Sequence, residues 1–409
     1  MAARPLHVVV VGPWMRFPHG MADTGRARLL ARALVEAGAQ VRVICLQASE
    51  RLPQVENTEV RGVWRGVPFE YTTPTTVRSD SFAIRRLVAA WGWVCGAARL
   101  ARLRREGLLD VAYLWVWAPR PGVHRAALLA LLKALHVPVV LELNEIPWPL
   151  REDASPLGRA LSPLTGVAGV VSISSTLSRW AAAQRLRHRV QVIDVPIVVD
   201  VDEQTPAGYP GGSPLLVFAG SPVYDETIRF IYAAMEHVWR ESPECRLVVT
   251  GASPADPAAQ WLHVEPQGVA ADPRVELAGY LPRPELLRLY ARAHALLIPL
   301  FDDGRSRARF PTKIAEYLAA ARPVVTSAVG EVPQYLTDAV DAVVCPPGDP
   351  RAYGERIAAL LADPARAAEI GRRGLDLARR RFDYKLHGRT LYLGLAGVAG
   401  RVLAEDTAP

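Results

Sequence analysis

Lys313 and Glu316 stand three residues apart in FPTKIAEYLAAARPVV, residues 310–325. On a helix that spacing places both on one side. An ammonium at a helix start suits a phosphate, and a carboxylate one turn later suits sugar hydroxyls. The local sequence supplies the helix. Pro311 falls in the first turn, where its missing N–H would have had no partner. Ile314, Tyr317, Leu318 and Ala321 recur at helical spacing and form one apolar face. Arg322-Pro323 ends the helix, and Val324-Val325 opens a β-branched strand. The chain holds 48 Lys+Arg, yet only Lys133, Lys313 and Lys385 are lysines. A compact ammonium at this helix start therefore stands out, although Lys313 alone also reads as a solvated helix residue.

A second group follows the apolar run VPVVLEL, residues 137–143: Glu142, Asn144 and Glu145 in ELNEIPW. The carboxyl end of a strand is where open α/β sheets place ligands. Glu145 could activate an acceptor hydroxyl or steady an oxocarbenium-like centre, with a capping or hinge carboxylate as the structural alternative. Asp302-Asp303 are adjacent loop carboxylates and weak evidence for a metal. Cys45, Cys95, Cys245 and Cys345 lie far apart without CxxC or Cys/His spacing and read as buried reduced thiols, with no metal site. No GxGxxG follows the first strand, and no GxxxxGK[ST], GxSxG or HExxH occurs, which disfavours nicotinamide, P-loop, nucleophile-elbow and zinc-protease chemistry.

The elements that must position these groups alternate. A length of 409 residues predicts two or three domains with ample core, and 22% charged residues fit a globular chain. LHVVVVG (6–12) reads as a buried parallel strand, followed by a helix near 24–37, Gly38 as its stop, and strand VRVICL (41–46). Further strands are expected at 110–116, 138–143, 168–173 and 190–195. A polar Pro/Gly-rich linker spans 201–213, and the pattern restarts at LLVFAG (215–220). From there the spacing predicts helix 225–240, strands 245–251 and 274–279, helix 284–293, strands 295–300 and 341–345, and a helical tail from 350. The fold class is α/β, with two Rossmann-like domains facing a cleft: an N-terminal domain over 1–200, a C-terminal domain over 201–384, and a terminal helix over 385–409. No secretory signal is visible, and the first apolar run is too short to span a bilayer, so a cytoplasmic location is expected.

Charge is uneven. Residues 1–200 hold 25 basic and 15 acidic residues, a net of +10 that leaves −3 for the remainder of the +7 total. A basic first half suggests an anionic partner. Residues 81–105, SFAIRRLVAAWGWVCGAARLARLRR, predict an amphipathic helix. Its stripe Ile84, Leu87, Trp91, Val94 and Ala98 is expected to pack on the sheet. Phe82, Trp93 and Leu100 then face outward beside Arg86 and Arg104, a mixture that suits a lipid headgroup layer. Peripheral attachment to an anionic inner membrane face is the reading. Nucleic acid is disfavoured because no reader motif accompanies the charge.

The second half resembles a retaining glycosyltransferase of the GT-B fold, glycosyltransferase family 4 (glycosyltransferase group 1). The resemblance rests on LLVFAG (215–220), VELAGYLPRPELLRLYARAHALLIPL (275–300), FPTKIAEYLAAARPVV (310–325), TSAVGEVPQYL (326–336) and VVCPPGDPRAYGERIAALLADP (343–364). FPHGMADTGRARLLARALVEAGAQVRVI (17–44) resembles that family's first glycine-containing loop and helix more loosely, as do VVSISSTLSRW (170–180) and VIDVPIVVD (192–200). The resemblance implies that Lys313 contacts a donor diphosphate with the amides of Phe310 to Thr312. It implies that Glu316 accepts hydrogen bonds from the ribose, that Gly20 lets a loop approach the phosphates, and that Gly220, Gly330 and Glu331 lie along the donor site. Arg309, four residues before Lys313, could add a second charge. It also implies that the terminal helix packs back on the first domain.

Three positions depart from the family pattern. Ala308 stands where a first acid is common, no basic residue follows the strand ending at Gly220 until Arg229, and Asn144-Glu145 stand where many members have a His. The reading is a retaining transferase that needs no metal or other cofactor. It moves a sugar from a nucleoside-diphosphate sugar to a glycan or lipid-linked acceptor, with Glu145 and Asn144 as catalytic candidates. The alternatives are a nucleotide-sugar epimerase of the same fold and a catalytically degenerate nucleotide-sugar-binding scaffold.

Overall fold

The computed structural model describes residues 4–52, 55–116, 123–147, 150, 163–184, 190–204, 208–220, 224–251 and 272–401. The chain divides into two compact units. One comprises residues 1–198, 308–310 and 384–409, and the other residues 199–307 and 311–383.

The first unit is built on an eight-stranded sheet in the order β3-β4-β2-β1-β5-β6-β7-β8. Its strands are β1 (His7–Gly12), β2 (Gln40–Cys45), β3 (Arg61–Trp64), β4 (Val67–Tyr71), β5 (Val111–Leu114), β6 (Val139–Leu143), β7 (Gly169–Ser172) and β8 (Gln191–Asp194). All six residues of β1 are buried, as expected of a continuous apolar run inside a parallel sheet covered on both faces. The helices are α1 (Ala22–Glu36), α2 (Phe82–Arg105), α3 (Val123–Ala134) and α4 (Ser175–Ala183). Only β3 runs antiparallel, to β4. Their two-residue turn uses Arg65 at φ 43 and Gly66 at φ 84, the doubly left-handed geometry of a tight hairpin.

Helix α2 corrects the sequence expectation. Ile84, Leu87, Trp91 and Val94 do not meet the sheet; they are 52%, 71%, 59% and 64% exposed, and Ala98 is exposed with them. The buried face is Gly92, Gly96, Leu100 and Leu103. A Cβ at Gly92 would come 2.3 Å from the Leu46 carbonyl oxygen and one at Gly96 2.4 Å from the Leu46 side chain. The two glycines therefore let the helix backbone lie directly on the loop after β2. Leu100, expected outside, is buried; Trp93 is half-buried and stacks on His124 at 5.2 Å. Phe82 is outward, as expected.

The second unit holds a six-stranded parallel sheet in the order β11-β10-β9-β12-β13-β14. Its strands are β9 (Leu215–Ala219), β10 (Arg246–Thr250), β11 (Val275–Gly279), β12 (Ala295–Ile298), β13 (Val324–Ser327) and β14 (Val343–Cys345). Its helices are α5 (Asp225–Glu241), α6 (Arg283–Arg292), α7 (Gly304–Ala308), α8 (Thr312–Ala319), α9 (Val332–Tyr335), α10 (Pro350–Ala362) and α11 (Pro364–Arg381). The last residue of α7, Ala308, groups with the first unit. A final helix, α12 (Tyr384–Val398), belongs to the first unit. It lies against α1, where a Cβ at Gly388 would approach the Ala33 carbonyl to 2.5 Å, and the Tyr384 hydroxyl donates to Glu36 at 2.7 Å.

Cys45, Cys245 and Cys345 are buried free thiols, whereas Cys95 is half-buried on α2. Burial pushes the Cys245 and Cys345 thiols up to about 12, so neither is a thiolate nucleophile near neutrality. Among the described residues no helix is long and apolar enough to cross a membrane.

Candidate functional site

The two groups singled out in the sequence lie in different units. In the second unit, α8 starts immediately after Pro311, which is its N-cap at φ −64 rather than a first-turn residue. No side chain caps the helix and its first turn holds no acidic residue, so its amide end is electropositive and open. Lys313 is half-buried, with no hydrogen-bond or ion-pair partner among the described residues. Thr312, beside it, is also half-buried. Behind this end the helix is fixed by its apolar face, with Ile314, Tyr317 and Leu318 all 0% exposed. The Tyr317 hydroxyl accepts from the Ala219 amide at 2.9 Å, which ties α8 to the carboxyl end of β9. Gly220 follows there, its amide bonded to the Thr250 carbonyl at 3.1 Å. A Cβ at Gly220 would lie 2.5 Å from the Phe218 ring.

Glu316 does not stand alone. Its Oε1 lies 3.0 Å from Nη1 of Arg283, whose Nη2 lies 2.9 Å from Glu203. The Gln204 side chain donates to the Glu316 carbonyl at 2.8 Å. Burial opposes the Arg283 charge, but Glu316 and Glu203 outweigh it and raise its pKa. The guanidinium is thus a fixed cation that holds one Glu316 oxygen and orients the carboxylate on α8. Gly330, after β13, has φ +60, and a Cβ there would come 2.8 Å from the Ser306 carbonyl. Both the backbone conformation and the close approach demand glycine. Glu331 is buried as the N-cap residue of α9 and accepts from Gln334 at 3.3 Å. Asp302 pairs with Arg307 at 2.7 Å, and Asp303 caps the Ser306 amide at 2.6 Å. Those two carboxylates secure the short helix α7.

In the first unit the parallel strands present their carboxyl ends along one edge. Gly20 lies in the loop after β1. A Cβ there would meet Thr24 Oγ1 at 2.4 Å, and the Thr24 hydroxyl donates to the Arg16 carbonyl at 2.9 Å. What Gly20 permits is thus close packing of this loop on the start of α1. Glu142 on β6 is fully buried and pairs with Arg26 of α1 at 2.7 Å. The Tyr113 hydroxyl also donates to it, and Arg26 donates to the carbonyls of Val195 at 2.8 Å and Pro196. This carboxylate is consumed by structure.

Glu145, 4% exposed, places Oε2 at 3.2 Å from Nη2 of Arg309, and its Oε1 accepts from the Ile146 amide at 3.0 Å. Arg309 is therefore not on the helix of Lys313. It lies in the connection between α7 and α8, within the 308–310 segment that groups with the first unit. The Ser174 hydroxyl, at the N-cap of α4, donates to the Ala308 carbonyl at 2.6 Å. Asn144 keeps its Oδ1 buried with no hydrogen-bond partner among the described residues. A buried acceptor left unmade costs about 1–3 kcal/mol, which marks this position for a ligand or water. Sequence reasoning missed Arg283 and Arg26. The Pro282-Arg283-Pro284 helix start was a usable signal for the first, while nothing local marks the second. The stretch after Gly220, where a family cation is common, includes residues 221–223, which lie outside the described residues.

Residues 213–363 match the family model described as glycosyl transferases group 1. A D-inositol 3-phosphate glycosyltransferase of Xylanimonas cellulosilytica is 28% identical over 387 residues, covering 87% of this chain and 86% of that protein. The sucrose-phosphate synthase of Thermosynechococcus elongatus superimposes with a TM-score of 0.69 at 16% identity, over 95% of this chain and 97% of that one. Anabaena HepE, crystallised with UDP-glucose, gives a TM-score of 0.65 at 14% identity over 96% and 100% of the two chains. At such identities the two structures bear on the fold alone.

Proposed function

From the premise that this chain is a glycosyltransferase of the GT-B fold, with a group 1 match over residues 213–363, we propose that it transfers its sugar with retention of configuration and without a metal ion. The observation that carries this reading is Lys313: a half-buried ammonium with no partner among the described residues, at the uncapped start of α8. An ion in that position is matched by a diphosphate, which can also take the first amides of the helix. As the sugar–phosphate bond breaks, negative charge grows on the leaving diphosphate, and a fixed cation there stabilises it without Lewis-acid help. Glu316, with one oxygen held by Arg283, keeps its other oxygen for the ribose hydroxyls.

On the first unit, Glu145 is the carboxylate that steadies the oxocarbenium-like centre or takes the acceptor proton. Its pairing with Arg309 holds the carboxylate in place, and Asn144 offers an acceptor to a substrate hydroxyl. The test is a transfer assay in chelator, with the product anomer read by NMR. Turnover should persist in EDTA and the product should keep the donor's anomeric configuration. Loss of turnover on chelation, or an inverted product, would contradict the mechanism. Donor consumption without any acceptor would point to the epimerase or to hydrolysis.

The acceptor is a glycan or a lipid-linked molecule, and α2 favours the second. Its outward stripe includes Leu87 at 71% and Trp91 at 59% exposed. The helix sequence carries six arginines and no acidic residue, the composition of a surface that lies on an anionic leaflet. The chain would then work at the inner membrane face. In a flotation assay at low salt it should rise with anionic vesicles, and Trp91→Ala should weaken that association. A wild-type chain indifferent to such vesicles would remove the membrane from the account.

A further inference from the structure

At the N-terminal end of α2 a cavity of about 280 Å³ is lined by Arg78, Arg85, Arg86, Ser79, Phe82 and Trp14, among others. It is assembled from the loops that follow three adjacent strands: the one after β1 supplies Trp14, the one after β2 supplies Gln47, and the one after β4 supplies Arg78 and Ser79. All three leave the carboxyl edge of the sheet, where ligands of this architecture sit. Arg78, Arg85 and Arg86 have no carboxylate partner among the described residues. Arg85 donates to the carbonyls of Ser79 and Asp80, at 3.3 and 3.4 Å. Arg85 and Arg86 both lie over the Phe82 ring, at 5.6 and 5.1 Å. Partial burial and the neighbouring charges of Arg51 and Arg85 lower the Arg78 pKa. The helix that opens there has no side-chain cap and no acid in its first turn.

We infer that this cavity binds the phosphate group of the acceptor, with the guanidinium groups of Arg78, Arg85 and Arg86 as its donors and the faces of Trp14 and Phe82 against the adjoining organic part. Several guanidinium forks around one cavity suit a tetrahedral oxyanion with three terminal oxygens better than a planar carboxylate. The inference rests on the glycosyltransferase reading only for the word acceptor; the anion site stands on its own geometry. The phosphate belongs either to a soluble phosphorylated polyol or sugar, or to a lipid headgroup delivered along the outward face of α2.

The experiment is calorimetric titration of the full-length Lys313→Ala chain, so that the donor site does not compete, with inorganic phosphate at constant ionic strength. Phosphatidic acid vesicles form a second arm. Phosphate should bind saturably, and adding Arg78→Ala or Arg86→Ala should weaken it by roughly tenfold or more. The melting temperature should not change, and Arg78→Lys should recover part of the affinity. Binding of the vesicles but not of free phosphate, lost in the same variants, assigns the lipid source. Equal phosphate affinity with and without the arginines, or no binding in either arm, overturns the proposal. Nucleoside diphosphate binding by the chain with Lys313 intact is measured in parallel; its failure would strike the donor reading and leave the phosphate result untouched.

Discussion

Replacing Lys313 by alanine is expected to lower turnover by about 10²- to 10³-fold while leaving the fold intact. The magnitude follows from removing one preorganised donor aimed at charge that develops in the transition state. The split follows from the same argument. The leaving diphosphate carries more charge at the transition state than in the bound donor, so kcat should fall further than KM rises. Stability should hardly move, because Lys313 is half-buried without a partner among the described residues, whereas the residues that anchor α8, Ile314, Tyr317 and Leu318, are untouched. Lys313→Arg should restore only part of the rate, since a planar fork cannot place its charge as a compact ammonium does. Steady-state kinetics with a melting curve for each variant decide the matter. Unchanged turnover in the alanine variant would take Lys313 out of the site.

The largest effect on stability is expected at the opposite kind of residue. Arg26 and Glu142 are 1% and 0% exposed in their side chains and 2.7 Å apart. Removing one partner of a buried ion pair strands the other charge and costs about 3–5 kcal/mol. In a unit of this size that corresponds to a fall in melting temperature of the order of 10 °C. Arg26→Ala also leaves the carbonyls of Val195 and Pro196 and the Tyr113–Glu142 contact without their cation. The double replacement Arg26→Met with Glu142→Leu should lose far less, because no buried charge remains. Thermal melts of the three chains test this. A single variant as stable as the wild type, or a double variant worse than either single one, would show that the pair is not what holds α1 to β6.

How much of this was legible in the sequence depends on whether a residue's neighbours are near it in the chain. The apolar runs at 6–12 and 215–220 read as buried parallel strands because a strand covered on both faces is apolar throughout its length. Helix α8 is legible for a similar reason: its apolar spacing, its proline before the start and the strand after it all lie within sixteen residues. Helix α2 was read inside out. Periodicity finds the apolar stripe but does not say which side the sheet takes, and the side actually buried is marked by Gly92 and Gly96, which no hydrophobic pattern counts. The β3–β4 hairpin was missed because Arg65-Gly66 is not among the strongest turn pairs, and Pro68 argues against a strand. Glu316 was identified without its Arg283 partner, 33 positions away, and Glu142 without Arg26, 116 positions away. Arg309 was placed by spacing with Lys313, yet the helix starts only after it, and the side chain reaches Glu145. Burial of a long-range ion pair follows from topology, and topology is what single-sequence patterns carry least.

The measurement that bears most directly on the central claim is a calorimetric titration of nucleoside diphosphates into the wild-type and Lys313→Ala chains, in metal-free buffer. Uridine, guanosine, adenosine and thymidine diphosphates form the panel. One of them should bind the wild type saturably, add about 2.7 kcal/mol of stability at a hundred times its dissociation constant, and bind the variant much more weakly. If none binds, or if the alanine variant binds as tightly as the wild type, the start of α8 is not a diphosphate site and the account of the donor fails.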